Sequence, residues 1–168
     1  MKVTCLIFAL LASASALAEP ISLAIPEEAW LVQFDGPPLK EIKSQATSSG
    51  YAYAGNAGRV NVSLFVERPS CAEGESNEAR YKCFTRQAQQ SPLIDRSTIR
   101  GNEVPAGVLV MYMVRTEIDG RPVQAFNAHL LFTHAGKAGD FHASVVQPKA
   151  DDVPSLVNLV QSVRFAAR

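Results

Sequence analysis

VLVMYMVRTEIDGRPVQAFNAHLLFT, residues 108–133, is the stretch whose reading decides the fold. Val108 to Val114 is apolar without a break, with the length and β-branching of a central strand covered on both faces. Asp119-Gly120 follows. Both residues tolerate left-handed backbone, so the pair is a strong two-residue hairpin signal. Val123 to Thr133 is then the return strand, with Phe126, Ala128, Leu130 and Phe132 on its apolar face. Further on, Gly136-Lys137 suits a second tight turn, and Phe141, Ala143 and Val145 mark the apolar face of the next strand. The prediction is a three-stranded antiparallel meander.

The register of this meander sorts its side chains. Pairing Ile118 with Arg121 around Asp119-Gly120 places Tyr112 opposite Asn127 and Val110 opposite His129. A Gly136-Lys137 turn places His129 opposite Ser144 and His142 opposite Leu131. One face then carries Tyr112, Asn127, His129, Asp140, His142 and Ser144. The other carries Phe126, Leu130, Phe132, Phe141 and Val145. A two-residue change of register keeps this partition, whereas a one-residue slip destroys it.

Outward from the meander, Ile21, Leu23 and Ile25 alternate as a short strand, and Trp30 to Phe34 form a second that Asp35-Gly36-Pro37-Pro38 ends. Lys40 to Ala54 reads either as an exposed strand pair near Gly50 or as a mobile loop. Tyr51 and Tyr53, among Gly50, Gly55 and Gly58, suit a recognition loop or a strand edge. Val60, Val62, Leu64 and Val66 alternate with polar residues as a half-buried strand stopped at Pro69. Ser76 can cap a helix in which Tyr81, Phe84 and Ala88 form one apolar stripe, ended by Pro92. Ile94 to Ile99 is a further strand. Near the end, Asp151 or Asp152 caps a second helix, with Pro154 in its first turn and Val153, Leu156, Val157, Val160 and Val163 as the buried stripe. A doubly covered sheet needs a layer on each side, and the two helices can supply them. The predicted class is α+β, a mainly antiparallel sheet in an α/β/α sandwich.

The first residues predict export. Lys2 precedes the apolar run Leu6–Leu11, and Ala16-Leu17-Ala18 fits the small-x-small rule for cleavage. Residues 1–18 are read as a signal peptide and residues 19–168 as a single domain, periplasmic or secreted. Cleavage removes Lys2 and no acid, so a neutral chain becomes one of formal charge −1. Without a basic run there is no electrostatic reason to expect nucleic acid or anionic lipid as partner. No later apolar stretch approaches the roughly 18 residues of a spanning helix, so membrane insertion is not expected. Cleavage also removes Cys5 and leaves Cys71 and Cys83, a close pair expected to form a disulfide in an oxidising compartment. Closing so short a loop stabilises by ~3 kcal/mol in the chain-entropy model. The bridge is expected to pin the start of the first helix to the end of the preceding strand.

Ile25-Pro26-x-x-x-Trp30-x-x-x-Phe34, then Pro37-Pro38, then Val62-Ser63-Leu64-Phe65-Val66-Glu67, resembles exported bacterial members of the PsbP-like fold. Asn127-Ala128-His129, Asp140-Phe141-His142-Ala143-Ser144 and the C-terminal helix extend the resemblance over most of the chain. The group holds the extrinsic photosystem II protein PsbP and a Ran-binding nuclear import factor, whose functions are unrelated. The resemblance implies a non-enzymatic binding or assembly accessory and carries over no site residue.

Several readings of the polar face compete. Its groups can hydrogen-bond under a helix or loop, or face water. Tyr112, Asn127, His129, His142 and Ser144 can line a ligand or partner pocket. His129, Asp140 and His142 offer imidazole and carboxylate to zinc, as a metal-binding protein or metal-dependent enzyme. A Ser144-His129-Asp140 hydrolase lacks a nucleophile elbow and a Gly-rich oxyanion loop. His134, near a turn, is expected to be solvated, and Trp30 to be a core or rim anchor. The leading expectation is a soluble periplasmic binding or accessory protein without covalent chemistry and without a cofactor, its partner another exported protein or a small ligand. One version is an inhibitor or immunity protein for an exported enzyme. Mass spectrometry of protein isolated from the periplasm should show a chain beginning at Glu19 and lighter by two protons than its reduced form. Two free thiols there would refute the bridge.

Overall fold

The computed structural model describes residues 20–46, 50–71 and 74–168; the predicted signal peptide lies outside the described residues. The chain begins with β1 (Ile21–Ala24) and β2 (Trp30–Phe34), followed by β3 (Lys40–Ala46), β4 (Gly50–Ala57) and β5 (Val60–Glu67). Helix α1 (Asn77–Gln90) then leads into β6 (Ile94–Val104), β7 (Gly107–Ile118), β8 (Arg121–His134) and β9 (Lys137–Val146). Helix α2 (Asp152–Gln161) and β10 (Arg164–Ala167) finish it. The fold is α+β with sheet dominant. A seven-stranded antiparallel sheet has the order β3-β4-β5-β9-β8-β7-β6, and a three-stranded sheet has the order β1-β2-β10.

The meander forms as the turn chemistry dictates. Asp119 (φ 52°) and Gly120 (φ 72°) both adopt left-handed backbone, and Ile118 pairs with Arg121, Val110 with His129 and Tyr112 with Asn127. The second turn differs from expectation by one position. It is made by Ala135 (φ 48°) and Gly136 (φ 73°), with His134 paired to Lys137. The register therefore moves by two residues, so His129 faces His142, Asn127 faces Ser144 and Leu131 faces Asp140. An alanine in left-handed backbone is uncommon, and this is why Gly136-Lys137 looked the better turn. The even shift leaves every side chain on its predicted face.

The apolar face carries the main core. Leu64, Leu130, Phe132, Phe141 and Val145 are buried there against Leu156, Leu159 and Val160 of α2 and against Val32 and Phe34 of the small sheet. The cover on this side is thus a helix plus three strands, not a helix alone. The α1 stripe packs on the opposite face, where Tyr81 and Phe84 lie on Val108, Val110 and Leu131. α1 packs on β6, β7 and β8, while beside it on the same face Phe65 of β5 is half open to solvent.

Local details follow from the sequence. The Ser76 hydroxyl accepts from the Ala79 amide at 3.1 Å and caps α1, as expected. Asp151 makes no side-chain cap at α2; instead Asp152 accepts from the Lys149 amide at 2.7 Å and pairs with Arg59 at 3.1 Å, holding the turn before the helix. Lys40–Ala46 and Gly50–Ala57 are a strand pair, with β3 exposed throughout and Tyr53 buried, so the tyrosines belong to a strand and not to a recognition loop. β6 runs five residues past Ile99, with a bulge between Asp95 and Arg100. A second bulge falls between Lys40 and Lys43 on β3. The disulfide joins Cys71 to Cys83, with 6.0 Å between Cα atoms. Cys83 sits midway along α1, so the bridge ties the helix body, not its start, to the segment after β5.

Two glycines permit close packing. A Cβ on Gly101 would lie 2.6 Å from the Tyr81 ring, so its absence lets α1 settle on β6. A Cβ on Gly139 would lie 1.9 Å from the Phe132 ring, which lies over its cross-strand partner in place of a side chain. Gly139→Ala should destabilise by about 1–3 kcal/mol in urea unfolding, the range of an overpacked core. Adding Phe132→Leu, which withdraws the ring, should leave a double variant more stable than the two separate losses predict.

Candidate functional site

Three rows of side chains cross the α1 side of the sheet. They run Tyr112, Asn127, Ser144, Asn61; then Val110, His129, His142, Ser63; then Val108, Leu131, Asp140, Phe65. The strand pairing thus brings all six predicted polar residues onto one patch. Asp140 Oδ1 lies 2.8 Å from His129 Nδ1, and His129 Nε2 lies 3.0 Å from the Tyr112 hydroxyl. A carboxylate only accepts, so Nδ1 donates to Asp140, and in the neutral ring Nε2 accepts from Tyr112. Burial first, and the negative charge of Asp140 second, push the Tyr112 phenol up to about 12, which keeps it a donor.

His142 belongs to a parallel chain. Asn127 donates its amide N–H to the Ala125 carbonyl at 3.3 Å, which turns Oδ1 toward His142 Nε2 at 3.0 Å. His142 Nε2 is then the donor, and Nδ1 accepts from the Ser63 hydroxyl at 3.4 Å. The two imidazoles stack with centroids 4.2 Å apart, and Phe84 of α1 closes over His129 at 5.0 Å. His129 and Asn127 are each 7% exposed, so the expectation of a hydrogen-bonded cluster under a helix describes this part of the face.

The other readings meet the geometry differently. Both nitrogens of His129 are engaged, by Asp140 and Tyr112, so no imidazole lone pair is turned toward Ser144. Ser144 sits opposite Asn127. The donor atoms considered for zinc do not aim at one point, because Asp140 and His129 Nδ1 bond to each other while the imidazoles lie face to face and His142 bonds to Asn127. Among the described residues no group of three or more His, Cys, Asp or Glu is arranged to hold a metal ion. His134 is half-buried and not solvated; its ring stacks on Phe165 at 4.3 Å and meets Trp30 edge-on at 4.9 Å. Trp30 is a buried anchor whose Nε1 donates to Glu28 at 3.2 Å.

Where α1 stops covering the sheet, a cleft of about 420 Å³ opens over Phe65, Leu131 and Asp140, walled by Arg80, Phe84 and Gln87. This is the size of a small-ligand site. Asp140 links the two features: Oδ1 holds His129 and the carboxylate also lines the cleft. The sequence reading missed Phe65, although it left a trace. Phe65 is the large apolar residue on the polar side of an otherwise alternating strand, and it is 52% exposed. Arg80 and Gln87 left none, because their placement depends on how α1 docks.

No protein-family model matches the chain, and no curated protein matches it in sequence.

Burial, then repulsion from His129, hold the His142 pKa down at about 4, against an opposing pull from Asp140. The unfolded chain, with an ordinary value near 6.5, therefore binds the extra proton in between. Stability from this group is complete above pH 6.5 and is lost as pH falls toward 4, on the order of 3 kcal/mol in all. His142→Gln should flatten the fall in unfolding free energy between pH 7 and pH 4 relative to the parent. Identical pH slopes for the two proteins would contradict a neutral buried His142.

Proposed function

We propose that this is an exported, non-catalytic binding or accessory protein that holds its ligand or partner in the cleft between α1 and β5. The observation that carries this reading is the contrast between neighbours. The imidazole best placed for acid–base work is sealed under Phe84 with both nitrogens engaged, while the cleft beside it is open. A general base must reach a substrate proton directly or through one water, and His129 has no free nitrogen with which to do so. Export is supported by the charged start, apolar run and small-x-small site of residues 1–18. The Cys71–Cys83 bridge fits an oxidising compartment. The PsbP-like resemblance supports an accessory role.

Amide exchange in α1 and β5 should slow when the protein is mixed with an extract of the compartment it is exported to. Phe65→Glu should abolish that protection. Unchanged exchange, together with turnover of an ester, amide or glycoside substrate that is lost in His129→Ala, would overturn the reading.

A further inference from the structure

The cleft's chemistry selects among ligands, and the inference rests on the binding reading above. Among the described residues that line it, the charges balance, with Glu67 and Asp140 set against Arg80 and Arg86. A site with a net charge near zero has no electrostatic preference for an anion or a cation. Its polar groups are nonetheless poised for hydrogen bonding. Arg80 is mostly buried, and among the described residues its Nε has no hydrogen-bond partner and its other nitrogens reach Glu67 at 3.9 Å and the Gly139 carbonyl at 3.4 Å. An under-satisfied buried guanidinium favours a ligand rich in acceptor oxygens. Asp140, engaged through Oδ1 alone among the described contacts, offers Oδ2 to a donor. Donors and acceptors are thus both wanted in the same cleft.

The apolar part is made by Phe65, Phe84 and Leu131, of which Phe65 is the most exposed. Phe65 lies directly across the strands from Asp140 and is half open to solvent. A ring face beside a carboxylate and a guanidinium matches a molecule with C–H groups on one side and hydroxyls around its edge. A peptide fits less well. Strand addition needs a free sheet edge, but β5 is hydrogen-bonded on both sides, to β4 and to β9. Helix docking needs a continuous apolar groove, and this cleft is lined mainly by polar groups.

We propose that the cleft between α1 and β5 is a saccharide-binding site that takes an uncharged sugar unit, with Phe65 under the ring and Asp140, Arg80 and Gln87 on its hydroxyls.

Calorimetric titration with uncharged hexose and N-acetylhexosamine oligosaccharides of three to six units, in α- and β-linked series, tests it. At least one series should bind saturably. Phe65→Ala and Asp140→Asn should each weaken that binding at least tenfold, while Ile42→Ala, on the exposed edge strand β3, should leave it unchanged. Amide shifts in NMR spectra should cluster at Phe65, Arg80, Phe84 and Asp140. Because Asp140→Asn also disturbs His129, Gln87→Ala is the control on an exposed helix position and should weaken binding without changing the unfolding midpoint. No binding in any series, or binding indifferent to Phe65→Ala, would overturn the saccharide assignment. Protection of α1 and β5 by an envelope protein that Phe65→Glu abolishes, with no sugar bound, would overturn it too and leave the cleft reading standing. Neither sugar binding nor protection would sink both.

Discussion

Strict alternation along β-strands is the constraint on which everything else here depends. Once Asp119 and Gly120 close their turn, each residue of β7 and β8 is assigned to one of two faces, and β9 inherits the assignment through the next turn. The same step that buries Phe132 and Phe141 under α2 and the small sheet brings His129, Asp140 and His142 together on the other side. The polar cluster is therefore not a separate device added to a scaffold. It is the reverse side of the core.

A buried cluster of this kind persists only if every member is satisfied, since an unpaired polar group in a low-dielectric interior is expensive. The two chains meet that condition. Asp140, His129 and Tyr112 hand one proton direction along, and Asn127 fixes His142, which takes the Ser63 hydroxyl. Stacked imidazoles 4.2 Å apart are tolerable while His142 is neutral, and burial keeps it in that form. The same rigidity holds Asp140 in place at the cleft floor. The cleft thus has one wall fixed by the interior network and another set by α1, which the disulfide ties down at Cys83.

Much of this was legible in residues 108–145, because local turn chemistry and period-2 patterning agree there. The polar face survived a wrong turn assignment because the error was an even number of residues. What could not be read shares one cause, dependence on distant partners. β10 is only four residues long and exists because β2 is there to pair with it, as Phe165 with Val32. His134 looked like a turn residue, yet Phe165 and Trp30 converge on it from opposite ends of the chain. Phe65 was visible as an off-phase aromatic, but only the position of α1 makes its surroundings a cleft. Polar residues at the correct spacing said nothing by themselves about whether imidazole nitrogens would converge or stack.

The two edge strands of the large sheet have a consequence of their own. Both β3 and β6 carry a bulge, and β3 adds Lys40 and Lys43 on a fully exposed strand. A sheet this wide, built mostly from pairings between strands close in sequence, offers a template for joining another sheet at either end. Each bulge breaks the regular ladder that an incoming strand must match, and a charged lysine is costly to trap between two sheets. The sheet therefore terminates itself at seven strands. Whatever guards this sheet against joining another lies at its margins rather than in its core, and a deletion that straightened β3 would remove one of the two bulges.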